Sequence, residues 1–172
     1  MKWYSHRIIT GVFTFTLTHD FIATIAAVLG SILPDKLEGK NHHKNFPLLN
    51  NTNEHRKFSH LLVVYVILVV GFFLLAYLMK KYLVLNFTNL FDKIIKHRFT
   101  SNNLYALILY FFSFFFFGAL SHVIQDFFFG GVPILTPYQK VGLKLKTGGV
   151  VEHIVLLLCF LVFLFVIRNR GY

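Results

Sequence analysis

The chain has 172 residues, 56% of them hydrophobic and only 14% charged, with a formal net charge of +10. That length fits one domain, 1–172, and an apolar fraction above the ~45–50% usual for soluble proteins, gathered into long blocks, excludes an ordinary soluble core. The single cysteine, Cys159, excludes an intrachain disulfide and a Cys-rich zinc cage, so any metal must be held by His, Asp and Glu.

In chain order, the first apolar block is Ile8–Leu33. No small-residue cleavage site follows Lys2 and Arg7, so this block reads as retained rather than as a signal peptide. Its middle is "LTHDF", with His19 and Asp20 adjacent. Asp20 is a natural N-cap for a helix over Phe21–Leu33, and Pro34 is expected to end that helix. The block is therefore expected to be a hairpin of two helices turning at Thr18-His19-Asp20; the alternative is one long tilted span. A polar loop follows, carrying His42, His43 and the stretch "HRKFSH" at His55–His60.

Leu61–Met79 reads as a span ending at Lys80-Lys81, and Leu104–Leu120 as a second. Ile154–Ile167, extended by Val150 and Val151, reads as a third, stopping at "RNR". Each approaches the ~20 residues needed to cross a ~30 Å hydrocarbon layer. Between the first two, Val84–Phe99 places Phe87, Leu90, Phe91, Ile94 and Ile95 at helical spacing, with Lys93, Lys96 and Arg98 on the other side. This predicts an amphipathic helix lying on the membrane surface, and His97 belongs to it. Phe127–Gly149 is a Gly/Pro-punctuated segment carrying Lys140, Lys144 and Lys146. The expected fold is all-α: a polytopic helical membrane protein with an N-terminal helical hairpin, three transmembrane helices and an amphipathic surface helix. Because the basic residues flank apolar blocks, anionic membrane lipid is the expected partner. No nucleic-acid-binding motif is present and no nucleic-acid partner is expected.

The polar residues fall on one side of this topology. His55 and His60 precede the first span, the second span returns to deliver His122 and Asp126, and Glu152 and His153 open the third. A hairpin would bring His6 and Asp35 to the same face. His122 and Asp126 are i and i+4 on a helix, so both side chains point one way. Several ionisable groups at membrane depth are costly enough to argue for a site. Histidines with carboxylates suit zinc, with manganese, nickel or iron as alternatives. Two ions would suit phosphoester hydrolysis, with Asp35 or Asp126 bridging or orienting the attacking water. A different class of reading keeps the same polar face as an ion-binding, sensing or transport site without hydrolysis, and a third makes the chain a structural membrane protein that acts through partners.

The order His6, "LPD" (Leu33-Pro34-Asp35), "HRKFSH", "GALSHVIQD" (Gly118–Asp126), "GGVPILTP" (Gly130–Pro137) and Glu152 resembles the YdjM-like family of predicted membrane-bound metal-dependent hydrolases. Members of that family are described as LexA-binding and inner-membrane-associated. Their His-x-x-x-Asp element is similar to that of zinc-dependent phospholipases C. The resemblance implies a metal set of His6, Asp35, His55, His60, His122, Asp126 and Glu152. It implies a divalent cofactor, zinc first, as one, two or more ions, in an inner-membrane hydrolase of a lipid or lipid-linked phosphoester. Arg56, with Lys144 or Lys146 on the same face, would bind the substrate phosphate. The chain departs from the family pattern at Leu37, where "LPDxD" has a second acid, and at Leu61, where a hydroxyl residue is common.

Overall fold

A computed structural model of the chain describes residues 3–38, 58–83, 101–136, 139–143 and 150–170. Six α-helices are found there: α1 Trp3–Thr18, α2 Phe21–Gly30, α3 Leu33–Glu38, α4 Leu62–Leu83, α5 Ser101–Phe129 and α6 Val150–Arg170. A 3-10 turn at Phe58–His60 leads into α4. Two short antiparallel strands, β1 Val132–Pro133 and β2 Lys140–Val141, pair with Val132 opposite Val141. The expected surface helix at Val84–Phe99 lies outside the described residues.

Three helices are long and apolar enough to cross a membrane, over Leu62–Met79, Leu104–Phe129 and Val150–Asn169. Their burial separates their roles. In the α5 window 28% of residues are buried inside the protein, against 6% in each of the other two. Thus α5 is the central helix, while α4 and α6 leave large apolar side chains such as Ile67, Val70, Leu157 and Phe165 exposed. Such surface is favourable against lipid tails and costly against water.

The first block is a hairpin. His19 takes a left-handed backbone conformation (φ 52°), which reverses the chain between α1 and α2. The Asp20 carboxylate then caps α2, accepting from the backbone N–H of Ile22 at 2.6 Å and of Ala23 at 3.0 Å. Its other oxygen accepts from the Tyr110 hydroxyl at 3.1 Å. Tyr110 lies one helical stretch before His122 on α5, roughly 18 Å at 1.5 Å per residue. The turn is therefore set well into the apolar layer, and the hairpin enters and returns without crossing.

One expectation is corrected. Helix α2 stops at Gly30, not Leu33, with Ser31 as its C-cap, and Pro34 does not terminate it. Pro34 instead sits in the first turn of α3, where a missing N–H costs nothing. A second boundary also moves. The apolar run ends at Leu120, yet α5 continues to Phe129. Its later polar residues, Ser121, His122, Gln125 and Asp126, recur at helical spacing and face protein rather than lipid. The helix ends where the N–H groups of Gly130 and Gly131 both donate to the Asp126 carbonyl, with Gly131 at φ 91°.

Packing follows membrane rather than aqueous logic. Between helices in lipid there is little hydrophobic driving force, so close backbone contact through small residues and polar bonds must hold them. Ala23, Ala26 and Ala27 are fully buried between α2 and α5. A Cβ on Gly118 would stand 1.9 Å from the Ala27 carbonyl oxygen, and one on Gly30 would stand 1.7 Å from that of Phe115. On the opposite flank, the Phe15 and Phe163 rings meet at 5.7 Å, and Ser5 donates to Glu152, so α1 runs parallel to α6. The Gln125 amide donates to Thr10 and Ser121 hydroxyls at 3.0 and 3.1 Å, joining α1 to α5.

These contacts predict a contrast between glycines. Gly118→Ala forces two backbones apart and should cost about 1–3 kcal/mol or more, as overpacking does. Gly71→Ala meets nothing within 4 Å and should leave stability unchanged or raised by up to about 1 kcal/mol through helix propensity. Unfolding midpoints of the detergent-solubilised variants check both.

Candidate metal centre

Three chain segments deliver four side chains to the same end of the bundle. Asp35 comes from the first turn of α3, which the Ser31-Ile32 turn swings away from the end of α2. His60 comes from the 3-10 turn before α4. His122 and Asp126 come from successive turns of α5. One ligand atom from each of Asp35, His60, His122 and Asp126 lies within 4.8 Å of all the others.

The spacing decides what the group is suited to hold. His60 Nε2 is 3.5 Å from Asp35 Oδ1 and 3.2 Å from Asp126 Oδ2. His122 Nε2 is 3.4 Å from each of the same two oxygens. Charge-assisted N–H···O bonds close to ~2.7–2.9 Å, so all four separations are too long for a tight proton-sharing network. A tetrahedral ion with bonds of ~2.0–2.1 Å, as zinc makes to His and carboxylate, needs neighbouring donors about 3.3–3.4 Å apart. The four His–Asp separations stand near that distance, and all four donor atoms lie within 4.8 Å of one another. Two carboxylates also balance the charge of one divalent ion. Two imidazoles in the set argue against calcium or magnesium, which take oxygen donors.

Burial sharpens the reading. His60, His122 and Asp126 are at most 1% exposed, whereas Asp35 is 16% exposed. Neither ring nitrogen of His122 makes a hydrogen bond among the described residues, an expensive state for a buried imidazole unless it has an ion to ligate. For Asp35, burial would raise the carboxyl pKa, but the nearby His122 and His60 imidazoles outweigh it and hold the group below the usual carboxylate range. For His60, burial opposes protonation, yet contact with Asp126 and Asp35 prevails and pushes the pKa up. The field that favours a proton on His60 equally favours a cation among the four donors.

The surrounding residues orient these donors. Ser59 Oγ lies 2.9 Å from His60 Nδ1, which leaves Nε2 aimed at the carboxylates. The Tyr65 hydroxyl donates to the Ser59 carbonyl at 2.7 Å and pins that turn to α4. His6 stacks on His122 with ring centroids 4.0 Å apart, and its Nε2 approaches Asp126 Oδ1 at 3.5 Å. Burial, then the neighbouring His122, push the His6 pKa down to about 3, so its ring is neutral.

Of the residues singled out from sequence, Asp35, His60, His122 and Asp126 come together and His6 borders them. Glu152 is buried but stands outside the four-residue group, where its carboxylate accepts from the Ser5 hydroxyl. His55, Arg56, Lys144 and Lys146 lie outside the described residues. Leu37 is 64% exposed on α3, two residues past Asp35 and so on the other side of the helix. An acid there would point away from the four donors. Ser5 and Tyr65 carried no chemical signal of their own; only adjacency to His6, and one helical turn after His60, marked them.

Removing the hydroxyl that orients His60 should weaken the centre without unfolding it. Ser59→Ala is expected to lower metal affinity about 10- to 100-fold, measured by competition with a chromogenic chelator. The exposed Tyr77→Phe should match wild type.

A search of the curated proteins and of the solved structures finds no match. A family model described as YdjM inner membrane protein matches residues 1–172, the whole chain. With three membrane-spanning helices, a buried His/Asp group able to hold a metal ion and this match, the chain is an integral inner membrane protein belonging to the YdjM family.

Proposed function

We propose that the protein is a metal-dependent hydrolase that cleaves a phosphoester at the membrane surface, in a lipid or lipid-linked substrate. The observation that carries this reading is the set of four converging donors, two imidazoles and two carboxylates at 3.2–3.5 Å, placed at the end of the spans rather than along them. Asp35, His60, His122 and Asp126 would hold the ion. Bound there, a divalent ion supplies a polarised phosphoryl oxygen and a water acidic enough to give hydroxide near neutral pH.

The chain's own residues divide the remaining tasks. Asp35 is the member of the group that solvent reaches, so it is placed to take a proton from water. Asp126 turns Oδ2 to His60 and His122 and Oδ1 to His6. That two-sided carboxylate, with the neutral His6 ring behind it, is suited to orient a water or to bridge to a second ion. Glu152, through Ser5, holds the start of α1 against α6 and so sets the position of His6. The apolar faces of α4 and α6 keep acyl chains beside the site. Asp20, the acid set deepest in the hairpin, is engaged by the α2 cap and by Tyr110, which favours hydrolysis over passage of an ion through the layer.

The test is metal analysis of purified protein followed by a hydrolysis screen over phospholipids and lipid-linked phosphoesters. Wild type should carry at least one divalent ion per chain, and His122→Ala and Asp126→Ala should lose most of it, with hydrolysis falling at least 100-fold. Unchanged metal content in the variants would refute the site. Bound metal without hydrolysis of any substrate in the screen would leave ion binding as the activity.

A further inference from the structure

The β1–β2 hairpin contributes none of the four donors, yet its inner side is fixed to every helix that bears on them. Val132 is fully buried in one apolar cluster with Tyr65 of α4 and with Ala119 and Val123 of α5, and Leu33 of α3 packs against that cluster. Two backbone bonds hold the hairpin down. The Val63 N–H donates to the Ile134 carbonyl at 3.2 Å, and the Leu143 N–H donates to the Phe127 carbonyl at 3.0 Å. These bonds also set its depth. Val63 and Phe127 both lie inside the apolar windows of their spans, Leu62–Met79 and Leu104–Phe129, so the hairpin stands level with the span ends rather than above them.

The outer side is apolar where water would favour polar residues. Leu135 is 70% exposed, Leu143 60% and Val141 49%. Single apolar residues scattered over a soluble surface need no explanation, but three on one short hairpin pinned at the ends of two spans do. Val64 of α4 and Phe128 of α5, at the same level, are exposed as well, so the apolar surface of the hairpin continues the lipid-facing surface of the helices. Lys140 is exposed between these side chains, and a lysine lays its stem along apolar surface with its head at the polar boundary. A two-stranded ribbon also keeps spare backbone N–H and C=O groups that hydrocarbon cannot satisfy. Apolar side chains on such a backbone fit one depth, the boundary where headgroups meet acyl chains.

We propose that the β1–β2 hairpin is a lipid-docking element whose Leu135, Val141 and Leu143 insert into the headgroup–acyl boundary of the leaflet beside the donor group. The occupant of this surface is the phospholipid layer itself. Through Val63 and Tyr65 the same hairpin braces the turn that carries His60, so the donors are held at headgroup depth and a lipid phosphate reaches them sideways, without leaving the leaflet. The docking rests on the membrane placement of α4 and α5. Only its consequence for the substrate rests on the hydrolase reading, and the test needs no turnover, so the two can fail separately.

The experiment places a nitroxide at Leu135→Cys, Val141→Cys and Leu143→Cys in turn. The carrier is the full chain with Cys159→Ser, reconstituted in vesicles of phosphatidylglycerol and phosphatidylcholine. Collision of the label with oxygen, which concentrates in lipid, is compared with collision with a water-soluble nickel chelate. Ile67→Cys on the exposed face of α4 gives the lipid reference. The substitutions are small and at exposed positions, and circular dichroism of each labelled protein checks that it keeps its helices. At two or more of the three hairpin sites, oxygen collisions should exceed chelate collisions, by a smaller ratio than at Ile67→Cys because the hairpin lies shallower. Chelate collisions exceeding oxygen collisions at two or more sites would put the hairpin in water and overturn the proposal. Weak collision with both probes would mean that protein covers the surface, a second copy or another part of the chain, and would overturn it equally.

Discussion

The structure depends on the cost of burying Asp126 and Asp35 close together. Two carboxylates facing the same point, one of them 1% exposed, repel each other and have lost most of their water. Desolvation of charge in a low-dielectric region costs several kcal/mol per group unless it is compensated. The His60 imidazole compensates in part by favouring a proton, as its raised pKa indicates. The 3.2–3.5 Å separations nevertheless leave the group too open for good hydrogen bonds and well sized for an ion. A divalent cation resolves both the charge and the spacing.

Everything else in the fold serves to bring those four side chains to one point. The donors come from three separate regions of sequence, and only α5 contributes two. For Asp35 to arrive, the N-terminal block must turn back inside the apolar layer, and that turn needs the left-handed His19 and the Asp20 cap. For α2 to lie close enough to α5, neither Gly118 nor Gly30 can carry a side chain. The backbone contact between these helices replaces the hydrophobic drive that is missing in lipid. The tolerance of the site is therefore set by packing many residues away from it.

The parts of this arrangement that were legible in the sequence are those with strong local physics. Runs of Leu, Phe, Ile and Val long enough to cross the layer announced α4, α5 and α6. Asp20 in mid-block announced a helix start, and the i, i+4 spacing of His122 and Asp126 announced a shared face. Once the spans were in order, convergence of His60, His122, Asp126 and, through the hairpin, Asp35 followed from counting crossings. Boundaries were less legible. Hydrophobicity stops at Leu120 because the next turns of α5 face protein, so composition underestimates the helix. Pro34 reads equally well as a stop or as a first-turn residue, and only the Ser31-Ile32 turn decides. The Ser5–Glu152 bond and the Tyr65–Ser59 contact join residues whose types carry no long-range signal. Leu37 looked like a missing ligand because spacing in a motif does not reveal which side of a six-residue helix a position occupies.

The central claim is that these four donors close around one divalent ion. X-ray absorption at the zinc edge of zinc-loaded, purified protein tests it most directly. The predicted result is a shell of nitrogen and oxygen at about 2.0–2.1 Å made by the four donors, with a fifth position for water, and the outer-shell signature of two imidazoles. A sulfur in the shell, which only Cys159 or Met could supply, or a six-coordinate shell without imidazole, would contradict it.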